Sequence, residues 1–154
     1  MTENNIDLNA MSAAREEAIA AGARDEVPIG AVLVDVNTGA IVARNGNRTR
    51  ELNDPTAHAE IMVMRAAAAL NGAQRIPGYD LYVTLEPCTM CAAAISFARI
   101  RRIIYGAPDA KGGGILHGAK FYDQPTCHHK PMVIGPVMPD ECGQILKDFF
   151  AARR

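Results

Sequence analysis

The sequence predicts a three-layer α/β/α fold: a mixed sheet of about five strands with helices on both faces. Three observations predict it. β-rich runs alternate with helical patterns along the chain. Residues 79–106 read strand, helix, strand, the spacing of a βαβ unit whose strands are expected to be parallel and right-handed in connection. An earlier pair of strand runs is joined by turn residues as a hairpin. At 154 residues, the whole of 1–154 is expected to form a single domain with a real core.

The elements follow in order. Residues 7–22 form an amphipathic pattern with Leu8, Met11, Ala14, Ala18 and Ile19 as its apolar stripe, stopped by Gly22. Residues 27–34 are a β-rich run with Pro28 at its start. Asn37-Thr38-Gly39 turns the chain, and residues 40–44 return as the second strand. A helix is expected from about Pro55 to Leu70, with Asp54 as its cap and Asn71-Gly72 as its stop. Tyr79 to Leu85 is a strand leading into a second helix that starts at Pro87 and reaches about Ala98. Residues 101–106 are the next strand. Residues 107–130 are long for a structureless connection, so they are expected to be functional, mobile or to hold a short helix. Met132-Val133-Ile134 is a short edge strand, and residues 140–154 close the chain as a helix with Ile145, Leu146, Phe149 and Phe150 as its apolar set. Helical aromatics usually face a core, so at least one of the two phenylalanines is expected there.

Composition narrows the function. No apolar run approaches membrane-spanning length, and the polar, acidic N-terminus does not read as a secretory signal. Four cysteines fit a reducing, cytoplasmic setting. The net charge of −1 argues against indiscriminate nucleic-acid binding. Its distribution is uneven: residues 1–96 hold 7 Lys/Arg against 12 Asp/Glu, and residues 97–154 hold 9 against 5. A basic face on an otherwise acidic protein is compatible with that asymmetry, as is an ordinary solvated surface.

The chemistry is carried by two short segments, His58-Ala59-Glu60 and Pro87-Cys88-Thr89-Met90-Cys91. One imidazole and two thiolates suit zinc, and they are one protein ligand short of a closed structural site, which leaves the fourth position for water. A zinc of this kind lowers the pKa of its water from about 15.7 towards about 7. Cys88 and Cys91, at i and i+3 in a first helical turn, share a face where the helix dipole favours thiolates. Glu60 is placed to move protons. Two plainer readings compete. A lone C-x-x-C is also half a structural zinc site or a redox pair, and Cys127, His128 and His129 could supply a fourth ligand or a second centre. Glu60 argues against a non-catalytic zinc module, which has no use for an acid beside an open position.

The H-x-E … P-C-x-x-C pattern is the signature of zinc-dependent nucleobase deaminases. Around it, residues 26–34, 45–48, 54–60 and 81–88, then Arg99-Ile100, Gly106-Ala107 and Asp148-Phe149-Phe150, make the chain resemble the bacterial tRNA-specific adenosine deaminases, within the cytidine deaminase-like superfamily. That resemblance implies a cytidine deaminase-like fold, one zinc per chain, a homodimer, and conversion of adenosine to inosine in the tRNA anticodon loop. It implies His58, Cys88 and Cys91 as ligands and Glu60 as the proton shuttle. Asn47 is implied beside base and ribose, Asp109 and Lys111 beside the target nucleotide, and Phe149, Arg153 and Arg154 on the helix that approaches the RNA. The sequence departs from the family at Gly112-Gly113-Gly114-Ile115-Leu116-His117 and at Cys127-His128-His129. The competing reading is a deaminase of free bases or nucleosides on the same zinc site.

Overall fold

The computed structural model describes residues 3–154. Five strands form one sheet: β1 (Gly30–Asp35), β2 (Ile41–Gly46), β3 (Tyr79–Leu85), β4 (Arg102–Ala107) and β5 (Met132–Ile134), in the order β2-β1-β3-β4-β5. β1 runs antiparallel to both β2 and β3, while β3, β4 and β5 are mutually parallel, so the sheet is mixed as expected. The helices are α1 (Glu3–Ala23), α2 (Ala59–Asn71), α3 (Thr89–Ala98) and α4 (Pro139–Ala151).

Strand periodicity builds the layers. Ala31, Leu33, Leu81, Val83, Ile103 and Tyr105 face one side, where they pack with Val63, Met64 and Ala67 of α2 and with Ala92 and Ile95 of α3. Val32, Val34, Tyr82 and Ile104 face the other side, under Ala10, Met11 and Ala14 of α1 and Cys142 of α4. The alternation of one residue up and one down is thus satisfied on both faces, and the two helices that carry the metal signature lie together on one of them.

Several local expectations are corrected. Of the expected apolar stripe of α1, Met11, Ala14 and Ala18 are buried, but Leu8 and Ile19 are 44% and 55% exposed, and the rest of the buried face is alanine, including Ala10, Ala13 and Ala21. The reason is proximity. A Cβ on Gly30 of β1 would fall 2.0 Å from the Ala14 carbonyl oxygen, so helix and strand meet with only small side chains between them. α2 begins four residues later than Pro55. Asp54 Oδ1 accepts hydrogen bonds from both the backbone N–H and the hydroxyl of Thr56, making a side-chain-closed turn, and the extended His58 becomes the N-cap. α3 likewise starts at Thr89, with Cys88 as N-cap and Pro87 just outside. On α4 only Cys142 is fully buried; Phe149 is half-buried and Phe150 is 46% exposed, so neither phenylalanine is a core residue. The 107–130 segment holds one short 3₁₀ turn, Phe121–Asp123. No helix among the described residues is long and apolar enough to cross a membrane.

Candidate active site

The N-termini of α2 and α3 converge. His58, the N-cap of α2, brings its Nδ1 to 3.7 Å from Cys88 Sγ and 3.5 Å from Cys91 Sγ. Cys88 is the N-cap of α3 and Cys91 its third residue. All three ligand atoms lie within 4.8 Å of one another, and this is the one group of three metal-ligating side chains found among the described residues. Zinc bonds of about 2.3 Å to sulfur and about 2.0–2.1 Å to nitrogen, at a tetrahedral angle, require N···S edges of about 3.6 Å. Both observed N···S distances are close to that value, so the imidazole and the two sulfurs are spaced to hold a zinc ion.

The electrostatics suit a cation. The Cys91 S–H beside it, together with the His58 ring, lowers the Cys88 thiol to about 4 despite partial burial. Cys91, bonded to that thiolate and buried, is pushed well up. The Cys88 thiolate raises the His58 imidazole. Zinc takes thiolates and a neutral imidazole, so its binding displaces the protons that these groups hold. Glu60 stands outside the ligand set. It is the second residue of α2, only 3% exposed, and burial pushes its carboxyl to about 7 against the pull of its own backbone N–H and of His58. A cleft of about 200 Å³ opens onto this group, walled by Ile29, Leu85, Glu86, Asp109 and Gly112 together with His58, Glu60 and Cys88.

Comparison with known proteins agrees with the geometry. Residues 4–107 match the family of the cytidine and deoxycytidylate deaminase zinc-binding region. A tRNA-specific adenosine deaminase of Agrobacterium fabrum is 61% identical over 144 residues, covering 94% of this chain and 93% of the relative. The chain belongs to the tRNA-specific adenosine deaminase family. A solved structure from work on A-to-I editing by tRNA:A34 deaminases at the wobble position superposes with a TM-score of 0.87 at 62% identity, covering 90% of this chain and 99% of that one. A guanine deaminase of Bacillus subtilis is more distant, with a TM-score of 0.64 at 29% identity over 99% of this chain and 94% of its own.

The remaining residues singled out from this deaminase's sequence fall into two groups. Asn47 is 5% exposed and its Oδ1 accepts the first N–H of α2, from Ala59, at 2.8 Å, so it braces the helix that presents His58 and Glu60. Asp109 lines the cleft, and its Oδ1 accepts the N–H groups of Lys111 and Gly112. Lys111 is exposed beside it. Phe149, Arg153 and Arg154 lie elsewhere, where the end of α4 meets the turn after α1. The Arg153 guanidinium stacks 3.5 Å from the Phe149 ring centroid and bonds Asp25 at 2.7 Å, while Arg154 is exposed. The Cys127-His128-His129 run supplies no ligand. Cys127 Sγ is 3.2 Å from the His129 carbonyl oxygen, His129 Nε2 donates to the Ile100 carbonyl at 2.7 Å, and His128 is exposed.

Two buried glutamates escaped the sequence reading. Glu26, 1% exposed, accepts the N–H groups of Arg50 and Glu51 and the Thr49 hydroxyl, and so folds the loop that leads from β2 to His58. Glu86, 2% exposed, does the corresponding work for the segment after β4. The available signal was an acid adjoining an apolar strand or helix end, a place where an unpaired carboxylate is not tolerated. Burial alone raises the Glu26 carboxyl, but the N–H groups of Glu51 and Arg50 and the Thr49 hydroxyl outweigh it, and the net position is below the ordinary 4.5. A group depressed on folding stabilises the fold above its unfolded pKa and loses that contribution as pH falls through its folded value. Glu26→Gln is therefore expected to cost about 1–3 kcal/mol at neutral pH, with the gap to the wild type closing below pH 4.5. Urea titrations at a series of pH values measure this, and a gap that widens in acid would contradict it.

Proposed function

We propose that this deaminase hydrolyses adenosine to inosine at the wobble position of a tRNA anticodon loop. The observation that carries this reading is the 61% identity, over nearly the whole chain, to a tRNA-specific adenosine deaminase. The reading is supported by His58, Cys88 and Glu60 lining one cleft, with Cys91 clustered with the first two. His58, Cys88 and Cys91 hold the zinc, which when bound supplies the Lewis acidity that makes water reactive at neutral pH. Glu60 takes a proton from the attacking water and delivers it to N1 of the adenine. The water oxygen bonds to C6. The second proton of that oxygen passes by way of Glu60 to the amine, the C6–N bond breaks, and ammonia and inosine are released. The base reaches the cleft extruded from its stack, and an anticodon loop, already single-stranded, lowers that cost. We assign Asp109, on the wall of the cleft, and Asn47, hydrogen-bonded to the first N–H of α2, to the nucleotide's side of the site. A tRNA substrate also implies a cytoplasmic protein.

Inosine formation in an anticodon stem-loop, measured beside ammonia release from free bases and nucleosides, tests the reading. Turnover of a free base or nucleoside with no inosine in any stem-loop would sink it and favour the guanine deaminase relationship instead. Phosphate contacts are assigned to Lys111, Arg153 and Arg154. Replacing Arg153 and Arg154 together with alanine should weaken stem-loop binding and flatten its salt dependence by roughly 0.7 in slope per lost contact. A slope equal to that of the wild type would remove the terminal arginines from the interface.

The active form is proposed to be a homodimer. α2 and α3 leave an apolar groove between Ile61, Met64, Ala68, Ile76, Ala94 and Ala98, and Phe97 of α3 is 67% exposed. An apolar surface of this kind suits a second copy of the chain. Light scattering should report a dimer at micromolar concentration and a monomer for Phe97→Glu; a wild-type monomer would contradict the assignment.

A further inference from the structure

The segment 109–117 forms one wall of the cleft, yet it contains three consecutive glycines and no helix or strand. Such a stretch needs an external anchor to hold one shape. Glu86 is that anchor. Its Oε1 accepts the Asp109 N–H at 3.0 Å and faces His117 Nδ1 at 2.8 Å. Its Oε2 accepts the N–H groups of Ile115, Leu116 and His117 at 3.2, 2.9 and 3.3 Å. A carboxylate only accepts, so the His117 ring carries its proton on Nδ1. Five donors, from both ends of the segment, thus converge on one carboxylate. The next residue joins in: the Pro87 carbonyl accepts the Gly114 N–H at 2.8 Å. The contact is close enough to exclude a side chain, since a Cβ on Gly113 would lie 2.2 Å from Glu86 Oε2. Cys88 follows immediately in the chain.

We propose that Glu86 is a positioning residue: it ties the wall that carries Asp109 and Lys111 to the turn that carries the zinc ligand Cys88, and so sets the site that receives the target nucleotide. The proposal rests on the RNA reading above. Because Glu86 acts through the loop and not on the reacting atoms, its loss shows in substrate capture more than in chemistry. Glutamine is the informative replacement, because it keeps the size but turns an NH₂ towards at least one of the N–H donors.

The experiment uses the zinc-loaded, full-length protein. In Glu86→Gln, amide exchange across 109–117 should accelerate by about tenfold or more, the equivalent of one lost charge-assisted hydrogen bond. Zinc content should stay at about one per chain, as the ligand set is intact. KM for an anticodon stem-loop should rise by about tenfold, with kcat within about threefold of the wild type. His117→Ala, which removes one donor and leaves the carboxylate, should shift the exchange and KM in the same direction by less, and it decides the matter if Glu86→Gln does not fold. Unchanged exchange in 109–117, or a fall in kcat with KM intact, would overturn the proposal. A wild type that forms no inosine would instead overturn the substrate reading, while the exchange measurement, made without RNA, still tests Glu86.

Discussion

Glu60→Ala is expected to purify with a full complement of zinc and to lose deamination by a factor on the order of 10²–10⁴, the usual contribution of a general acid–base group. Its carboxylate is not one of the three clustered ligand groups, so the metal has no reason to leave. It is 3% exposed beside them, in the cleft, at the start of a helix whose N–H groups can stabilise the charged form. Burial lifts its carboxyl to about 7, and the charge of a bound cation pulls it down again. For the proton-transfer role proposed above, such a carboxyl would be ionised at neutral pH and able to return its proton. Zinc analysis and single-turnover inosine formation on the same preparation measure both halves of the expectation. Loss of zinc together with activity would assign Glu60 to the metal instead.

Cys91→Ala should fail in the opposite manner. Removing one of three protein ligands leaves the imidazole of His58 and the thiolate of Cys88, too few to hold zinc against a competing chelator. Metal and activity should disappear together, with activity falling at least as far as in Glu60→Ala. Thermal stability should fall as well, because Cys91 is fully buried in α3 beside His58 and its removal would leave no ion to join the two helix starts. Treating the wild type with a chelator should reproduce the loss, and added zinc should restore it. An alanine variant that retained one zinc per chain would show that the fourth position is filled by another side chain.

The sheet was legible because its signal is local. β1, β3 and β4 are short, β-rich runs written in adjacent residues, buried along nearly their whole length because helices cover both faces of the sheet. The ligand set was legible for a similar reason, since short spacings place His58, Cys88 and Cys91 at helix starts whatever the rest of the chain does. Helix boundaries were less so. Asp54 satisfies Thr56 instead of capping a helix, and the two choices use the same residue type. On α1 the burial of Met11, Ala14 and Ala18 follows the helical pattern, while the preference for alanine over Leu8 and Ile19 on the buried face is set outside the helix, by the absence of a side chain at Gly30. Glu86 was hidden for the same cause: its five donors come from residues 23 to 31 positions later, and no local pattern announces them.

The placement of the ligands on either side of β3 has a consequence for how the protein is made. His58 comes from the crossover before that strand and Cys88 from the turn after it, 30 residues apart. They meet only once β1 has paired with β3, along Ala31↔Val83 and its neighbours, because α2 is seated on that part of the sheet. A ribosome that has released Cys91 has delivered all three ligands, but the cage exists only after that long-range pairing closes. Metal capture is thus expected to follow the pairing of β1 with β3, and the zinc-loaded fraction of freshly synthesised protein should report the molecules in which those two strands have met.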